Sequence, residues 1–277
     1  LSRFPRYKSK HKAKKSYTTN FTNGNIAVGD DYVKLPKLGG VKAKIHRKPE
    51  EDWKIKSATI TQNRDGTYQV SIRFEYIADT VSALAVTEDT AVGLDYKSDG
   101  LYTDSNGETC GMPHYYRDSA KRLAKAQRKH KTVGSNNYKK QQKRIARLHR
   151  HVANQRKDFL QKRSTAIAKR YDHVCVEDLN MKSMSNKGFG NGKATLDNGY
   201  GMFLKMLDYK LEEKGGSLVK VSKWFPSSQT CSCCGGLHPE MKDLSIRTMR
   251  CSCGCKIDRD YNAAINIKKE GLRLLSA

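Results

Sequence analysis

Two kinds of side chain in this chain are spaced for chemistry, and sulfur is the first. Cys231-x-x-Cys234 has the spacing of a metal knuckle, and Cys251-x-Cys253 follows after the interval 235–250. Two knuckles offer four thiolates, the tetrahedral set of a structural Zn²⁺ with no position left open for catalysis. The second pair is one residue tighter than the usual two-residue spacing. Cys251 with Cys253 is therefore the first choice and Cys251 with Cys255 the alternative. Cys233 is left as a spare neighbour, and Cys110 and Cys175 read as small core residues. Of the eight cysteines, six fall between 231 and 255. Without a secretory signal, that clustering reads as metal ligation in a reducing compartment and not as a disulfide framework.

Carboxylate is the second. Asp95 ends the short apolar run Ala91-Val92-Gly93-Leu94, and Glu177 ends Val174-Cys175-Val176. Asp260 stands just before an Ala/Ile-rich run that reads as a helix. An α/β sheet gathers its strand ends at one edge. Carboxylates brought together there repel unless a hard cation neutralises them. Two Mg²⁺ about 3.5–4 Å apart would do so, activating a water and stabilising the leaving oxygen of a phosphodiester. Asp258 competes with Asp260. The latter is preferred because it directly precedes the helix and because Asn262 is placed to orient it. Asp95 taken alone reads first as an acid that merely opens the turn Lys97-Ser98-Asp99-Gly100. The cysteines and Asp258-Arg259-Asp260 share one segment, so the metal knuckle is expected to stiffen the placement of the acid.

The elements that must position these groups follow from periodicity. Residues 17–77 read as antiparallel β-structure, a small barrel or sandwich. Asn23-Gly24 and Asp65-Gly66 are hairpin signals, period-two alternation flanks Asp65-Gly66, and short strands over 33–46 break at Pro36 and Gly39-Gly40. Residues 78–90 read as a linker. From 91 the pattern becomes α/β, with a strand ending at Asp95, a meander through Asn106-Gly107, a strand ending at Glu177 and another at 217–221. A mobile Gly/Asn/Lys/Ser-rich loop is expected over 181–197. A helix over 199–213 carries Met202, Phe203, Met206 and Leu207 on one face.

Charge narrows the partners. Net charge is +25 over 277 residues, too one-sided for an ordinary enzyme of small metabolites and suited to a polyanion, most simply nucleic acid. A basic membrane-surface protein is the rival, but no apolar run approaches the ~18 residues of a membrane span. No signal peptide is evident either, so the expected location is the cytoplasm, with no membrane partner. Residues 117–172 hold 19 Lys/Arg against Asp118, Asp158 and Asp172. They read as two helices broken at Gly134-Ser135-Asn136. Ile145, Leu148, Val152 and Phe159 mark the packed face of the second, and its charged face is the expected wall of a nucleic-acid channel. Residues 1–16 read as a basic arm. Lys34 and Lys37 on the β-structure, Arg144, Arg147 and Lys157 on the helices, and Lys223 before the cysteines are the candidate nucleic-acid contacts.

The segments GLDYKSDG (93–100), RIARLHRHVANQRKDFL (144–160), VEDLNMKSM (176–184), TLDNGYGMF (195–203), KWFPSSQTCSCCG (223–235) and DRDYNAAINI (258–267) resemble TnpB, the OrfB-type proteins of bacterial insertion sequences, relatives of compact type V CRISPR effectors. The resemblance is collinear from about residue 3 to 267. It implies an RNase H-like, RuvC-like nuclease domain over 91–277, interrupted by a zinc ribbon at about 228–257 and preceded by a wedge-type β-barrel over 17–77. It places the family's catalytic acids on Asp95, Glu177 and Asp260. It also implies RNA-guided, Mg²⁺-dependent DNA cleavage with guide RNA and target DNA as partners, two catalytic Mg²⁺ and one structural Zn²⁺. Family members carry a barrel strand and a helical recognition lobe ahead of the position of Phe4. Their absence here leads to the expectation of cleavage on single strands and poor, motif-indifferent cleavage of duplexes. A nuclease-inactive nucleic-acid-binding regulator and a DNA-joining transposase are the alternatives from the same residues.

Overall fold

Apolar alternation builds the N-terminal quarter into sheets and the later apolar runs into a buried parallel core. The structure, a computed structural model, describes residues 9, 13, 15–77, 81–129, 131–186 and 192–276. The expected basic arm therefore lies largely outside the described residues, as do 78–80 of the linker and 187–191 of the expected loop. The chain divides into two units, residues 1–80 with 126–148 and residues 81–125 with 149–277.

The first unit holds β1 (Ser16–Asn20), β2 (Ala27–Val28), β3 (Tyr32–Leu35), β4 (Gly39–Lys42), β5 (Lys54–Gln62) and β6 (Tyr68–Glu75). They form two antiparallel three-stranded sheets, ordered β1-β5-β6 and β2-β3-β4. The Asp65-Gly66 signal makes the hairpin β5-β6, with Ile60 opposite Val70 and Gln62 opposite Tyr68. The Asp65 carboxylate closes this turn by accepting from the Thr67 N–H at 3.2 Å and from its hydroxyl at 2.8 Å. Ile26, Val33, Leu35 and Ala58 form one core, with Ile60, Val70 and Ile72 packed against it. Gly39-Gly40 begins β4 instead of breaking a strand. The chain turns just before it, at Lys37, which takes a φ of +65°.

The second unit continues with β7 (Ala91–Tyr96), β8 (Gly100–Asp104), β9 (Thr109–Gly111), α1 (Tyr115–Gln127), α2 (Asn136–Arg170) and β10 (His173–Glu177). Then come α3 (Met181–Met184), α4 (Gly192–Asn198), α5 (Tyr200–Glu212), β11 (Ser217–Val221), β12 (Thr248–Arg250), β13 (Lys256–Asp258) and α6 (Arg259–Leu275). The ends of α1 and α2 that fall within 126–148 cluster with the first unit. The break at Gly134-Ser135 separates the two basic helices. The main sheet is ordered β11-β10-β7-β8-β9, with β7, β10 and β11 parallel and β8 and β9 antiparallel. Its central strands are buried on both faces, as the near-continuous apolar runs of β7 and β10 require. Val174 and Val176 join Leu160 and Ile167 of α2 and Phe203, Leu207 and Leu211 of α5 in one core. Cys175, between them in sequence, joins Val221 and Ile267 of α6 on the opposite face.

Burying a Leu or Phe of this kind is worth about 1.5–3 kcal/mol. The Lys162–Asp158 pair on α2, at 2.7 Å, is exposed, and solvent screens it. Packing, not surface pairing, therefore anchors this part of α2. On α5 the buried stripe is Tyr200, Phe203, Met206, Leu207 and Leu211. Met202 is exposed, because it lies off the i, i+3, i+4 line that starts at Tyr200. The segment expected to be a mobile loop carries α3 and α4. Asn180 caps α3 by accepting from the Ser183 N–H. Asp197 at the end of α4 is buried against Arg156 at 2.9 Å. Among the described residues no helix is long and apolar enough to cross a membrane.

Candidate active site and metal centre

Asp95 sits near the end of β7, Glu177 ends the neighbouring parallel strand β10, and Asp260 lies in the first turn of α6. All three line one cleft of about 970 Å³. The helix is brought there by a close approach. A Cβ on Gly93 would lie 2.1 Å from the Ala264 carbonyl oxygen, so only glycine lets α6 press onto β7 at this point. Burial, with the charges of Asp260 and Glu177 beside it, holds the Asp95 carboxyl well above the usual carboxylate range. Burial likewise raises Glu177. Both acids resist ionising without a counter-charge, and a hard cation is the group that relieves them. The three acids that line the cleft offer oxygen donors only, the kind a hard cation such as Mg²⁺ takes.

Cations already face the third acid. The Arg247 guanidinium bonds the Asp260 carboxylate at 2.5 Å, and Lys97 lies 3.6 Å from it. Lys223 and Arg259 also line the cleft. Sequence reasoning missed Arg247 and Lys97. Lys97 carries a usable signal, two residues past a strand-end acid, whereas Arg247 has none, because its place depends on how the cysteine segment folds back.

Asp258 and Asp260 separate by role. The Asp258 side chain is the N-cap of α6, accepting from the Asp260 and Tyr261 N–H groups, and Asp260 is left to face the cleft. Asn262 does not orient Asp260. It is fully buried, accepts from the Ser232 N–H at 2.9 Å and donates to the Thr230 carbonyl at 2.8 Å. Asn266 donates to the Ser227 and Thr230 carbonyls at 2.8 and 2.6 Å. One helical turn apart on α6, these asparagines fasten the start of the cysteine segment to the helix that bears Asp260. Sequence reasoning looked for the partner of Asn262 in the nearest acid. A buried amide instead satisfies backbone groups that would otherwise be left unpaired.

In the ribbon, β12 and β13 pair antiparallel and β13 runs directly into α6. The sulfurs of Cys231, Cys234, Cys251 and Cys253 all lie within 4.8 Å of one another, a group that could hold a metal ion. Cys231 and Cys253 are 3.8 Å apart and Cys234 and Cys251 are 3.5 Å apart. The edge of a tetrahedron with ~2.3 Å metal–sulfur bonds is about 3.8 Å. The Cys253 N–H and the His238 side chain draw the Cys251 thiol down to about 5. His238 is itself braced by Glu240 at 2.9 Å. Cys233 and Cys255 stand outside the four and 3.1 Å from each other.

The candidate nucleic-acid contacts are spread through the chain. Lys34 is exposed on β3 between buried Val33 and Leu35, and Lys37 is exposed at the following turn. Of the neighbouring cations, Lys48 pairs with Asp30 and Arg47 lies 5.1 Å from the Trp53 ring centroid. Arg144, Arg147 and Lys157 are exposed on α2. Lys223 is exposed, and its ammonium sits 4.8 Å from the ring centroid of Trp224, itself 81% exposed.

Two family models match the chain, one described as "Probable transposase" (OrfB_IS605) over residues 74–188 and one as "Cas12f1-like, TNB domain" over residues 200–267. A Streptomyces pristinaespiralis protein is 34% identical across 98% of this chain and 66% of its own length. One from Escherichia coli K12 is 30% identical across 87% of this chain and 62% of its own. Both are named "Putative RNA-guided DNA endonuclease", the second with the suffix InsQ. The TnpB-like protein L79 of Acanthamoeba polyphaga mimivirus is 32% identical across 51% of this chain and 28% of its own. In fold alone, the chain is similar to Cas12f1 as solved in a complex with sgRNA and target DNA. The TM-score is 0.54 at 18% identity, over 78% of this chain and 46% of that one. The mixed α/β fold is thus similar to that of Cas12f1. The chain belongs to the TnpB/OrfB-type family of insertion-sequence proteins. It spans about two-thirds or less of the length of the two bacterial relatives.

Proposed function

We propose that this chain is a transposon-encoded, RNA-guided DNA endonuclease whose RNase H-like (RuvC-like) domain hydrolyses phosphodiester bonds. The observation that carries the reading is the convergence of Asp95, Glu177 and Asp260, from three separate elements, on one cation-rimmed cleft. Those three carboxylates would hold two Mg²⁺. Bound there, magnesium supplies Lewis-acid activation of the attacking water and charge stabilisation at the leaving oxygen. The protein's own part is positioning and charge. Lys97 and Arg247 lie against Asp260, where the oxygens of a scissile phosphate would approach. Lys223 extends that positive rim to the outer lip.

The cysteine ribbon is read as a structural zinc site of Cys231, Cys234, Cys251 and Cys253, because all four positions are filled by thiolates. Its work is mechanical. Asn262 and Asn266 tie it to α6, and β13 delivers Asp258 to cap the helix that presents Asp260. Residues 17–77 are read as a wedge-type barrel that grips nucleic acid through Lys34 and Lys37, with Arg144, Arg147 and Lys157 on α2 as further phosphate contacts. Guide RNA and target DNA as partners follow the names of the relatives and the charge of the chain.

The test is nicking of DNA by the purified chain together with the RNA that copurifies with it, with and without Mg²⁺. Mg²⁺-dependent products with hydrolysed ends support the reading. Strand-transfer products would make the chain a DNA-joining transposase. Binding without any cleavage would make it a regulator.

A further inference from the structure

The ribbon contains six cysteines, and a tetrahedral ion uses four. The other two are not scattered. Cys233 and Cys255 have their sulfurs 3.1 Å apart, and together with Cys231 they form a second group whose sulfurs all lie within 4.8 Å. We propose that Cys231, Cys233 and Cys255 make a second thiolate site, which takes a second thiophilic ion of the zinc or cadmium class, with Cys231 bridging the two ions. The proposal rests on the reading of Cys231, Cys234, Cys251 and Cys253 as the first site.

Three features carry it. Each knuckle presents sulfur in two directions. Cys233 and Cys234 are neighbours in sequence yet belong to different groups, and so do Cys253 and Cys255, on either side of Gly254. Gly254 takes a φ of +89°, a backbone state that side chains other than glycine rarely adopt, and so turns the chain between the two sulfurs. Next, Cys231 belongs to both groups and is buried between them, and a thiolate sulfur has lone pairs for two ions. Finally, the charge is balanced. Four thiolates around one divalent ion carry −2, and six thiolates around two divalent ions also carry −2. The second ion therefore neutralises two further thiolates with no change in net charge, and the Lys269 ammonium already stands at the Ser232 carbonyl beside the cluster.

Three sulfurs leave one tetrahedral position open, and Cys233 is exposed, so solvent completes the shell. The second ion is consequently the more exchangeable of the two. Soft thiolate donors select ions of this class over magnesium, which keeps the site distinct from the carboxylate cleft.

The experiment is a cadmium titration of the full chain, reduced and stripped of metal, followed by thiolate-to-cadmium charge-transfer absorption. Ions bound to carboxylates give no such band. A count of free thiols beforehand establishes that Cys233 and Cys255 are reduced. The wild-type chain is expected to saturate at two ions, one tight and one weaker. Cys233→Ser and Cys255→Ser are each expected to saturate at one, with uptake of the tight ion unchanged. Saturation of the reduced wild type at one ion, or of either variant at two, overturns the proposal. Cys253→Ser tests the underlying reading separately. Loss of the tight ion upholds the first site, and its retention sinks that reading whatever the Cys233 and Cys255 variants do.

Discussion

The carboxylate cleft and the cysteine ribbon meet at α6 but are assembled in opposite ways. The acids come from β7, β10 and α6, so the cleft exists only when the whole sheet has formed. The cysteines come from one stretch, 231–255, and need little beyond two turns and a short hairpin. Their electrostatics differ in the same sense. Burial and like charge hold Asp95 toward its neutral form, whereas the Cys253 N–H and His238 draw Cys251 toward its anion. Local hydrogen bonds thus set the state of a ribbon thiol, whereas burial and like charge set that of the cleft's acids. A lesion anywhere in the sheet should therefore reach the cleft, while the ribbon should answer only to its own residues and to the seam that fastens it.

The largest effect should come from breaking the ribbon. Cys234→Ser removes one thiolate from the tetrad. Structural zinc in small domains is worth roughly 10–16 kcal/mol of apparent binding energy coupled to folding, so the variant should lose its tightly held zinc and melt the ribbon. Metal analysis with thermal unfolding checks this. Retention of zinc at full occupancy would show that the four sulfurs are not the ligand set.

Cutting the seam should separate the two regions. Asn262→Ala leaves the Ser232 N–H without its buried partner, while the Thr230 carbonyl keeps Asn266, a loss of about 1–3 kcal/mol. Zinc content should hold and the melting temperature should fall. Cleavage should weaken through misplacement of Asp260, not through loss of metal from the ribbon. Unchanged cleavage alongside the lower melting temperature would mean that the ribbon does not position the acid.

Two neighbouring acids sharpen the comparison further. Asp258→Ala removes a helix cap worth about 1 kcal/mol and should lower stability while leaving cleavage in place. Asp260→Ala should do the reverse. Parallel stability and rate measurements on the two variants decide it, and a dead Asp258→Ala with an active Asp260→Ala would exchange their roles.

The smallest effect per residue lies on α2. Reversing the charges of Arg144, Arg147 and Lys157 should flatten the dependence of nucleic-acid affinity on salt. The slope should drop by about 0.7–0.9 log unit per log salt for each phosphate no longer neutralised. An unchanged slope would mean that these side chains face bulk solvent.

The grouping of the cysteines and of the acids could be read from the sequence for different reasons. Thiolate chemistry is local, so the spacing of Cys231, Cys234, Cys251 and Cys253 carried its own meaning. Asp95 and Glu177 were legible because each ends a short apolar run, and parallel strands bring such ends together. Arg247 and the true partners of Asn262 were not, because they depend on where the segment 227–247 folds back against α6, which no local period encodes. Gly/Asn-rich composition suggested a loop over 181–197. Tertiary anchoring, with buried Asp197 held by Arg156, overrides that local preference and gives α3 and α4. The exposed Met202 beside the buried stripe of α5 marks the same limit, since a one-residue error in the phase of a helix exchanges its inside and outside.

The most direct measurement takes the buried acids of the cleft. Asp95→Ala and Glu177→Ala should be compared with the unaltered chain for Mg²⁺-dependent nicking of single-stranded DNA and for DNA affinity at matched salt. Metal ions supply several kcal/mol of charge stabilisation in the transition state, which at tenfold per 1.36 kcal/mol is about a thousandfold in rate. Each variant is expected to lose cleavage to that order with affinity nearly unchanged, as carboxylates that hold metal and not phosphate would. Variants that still cut, or that lose cleavage only in proportion to lost binding, would contradict a metal-holding role for the triad.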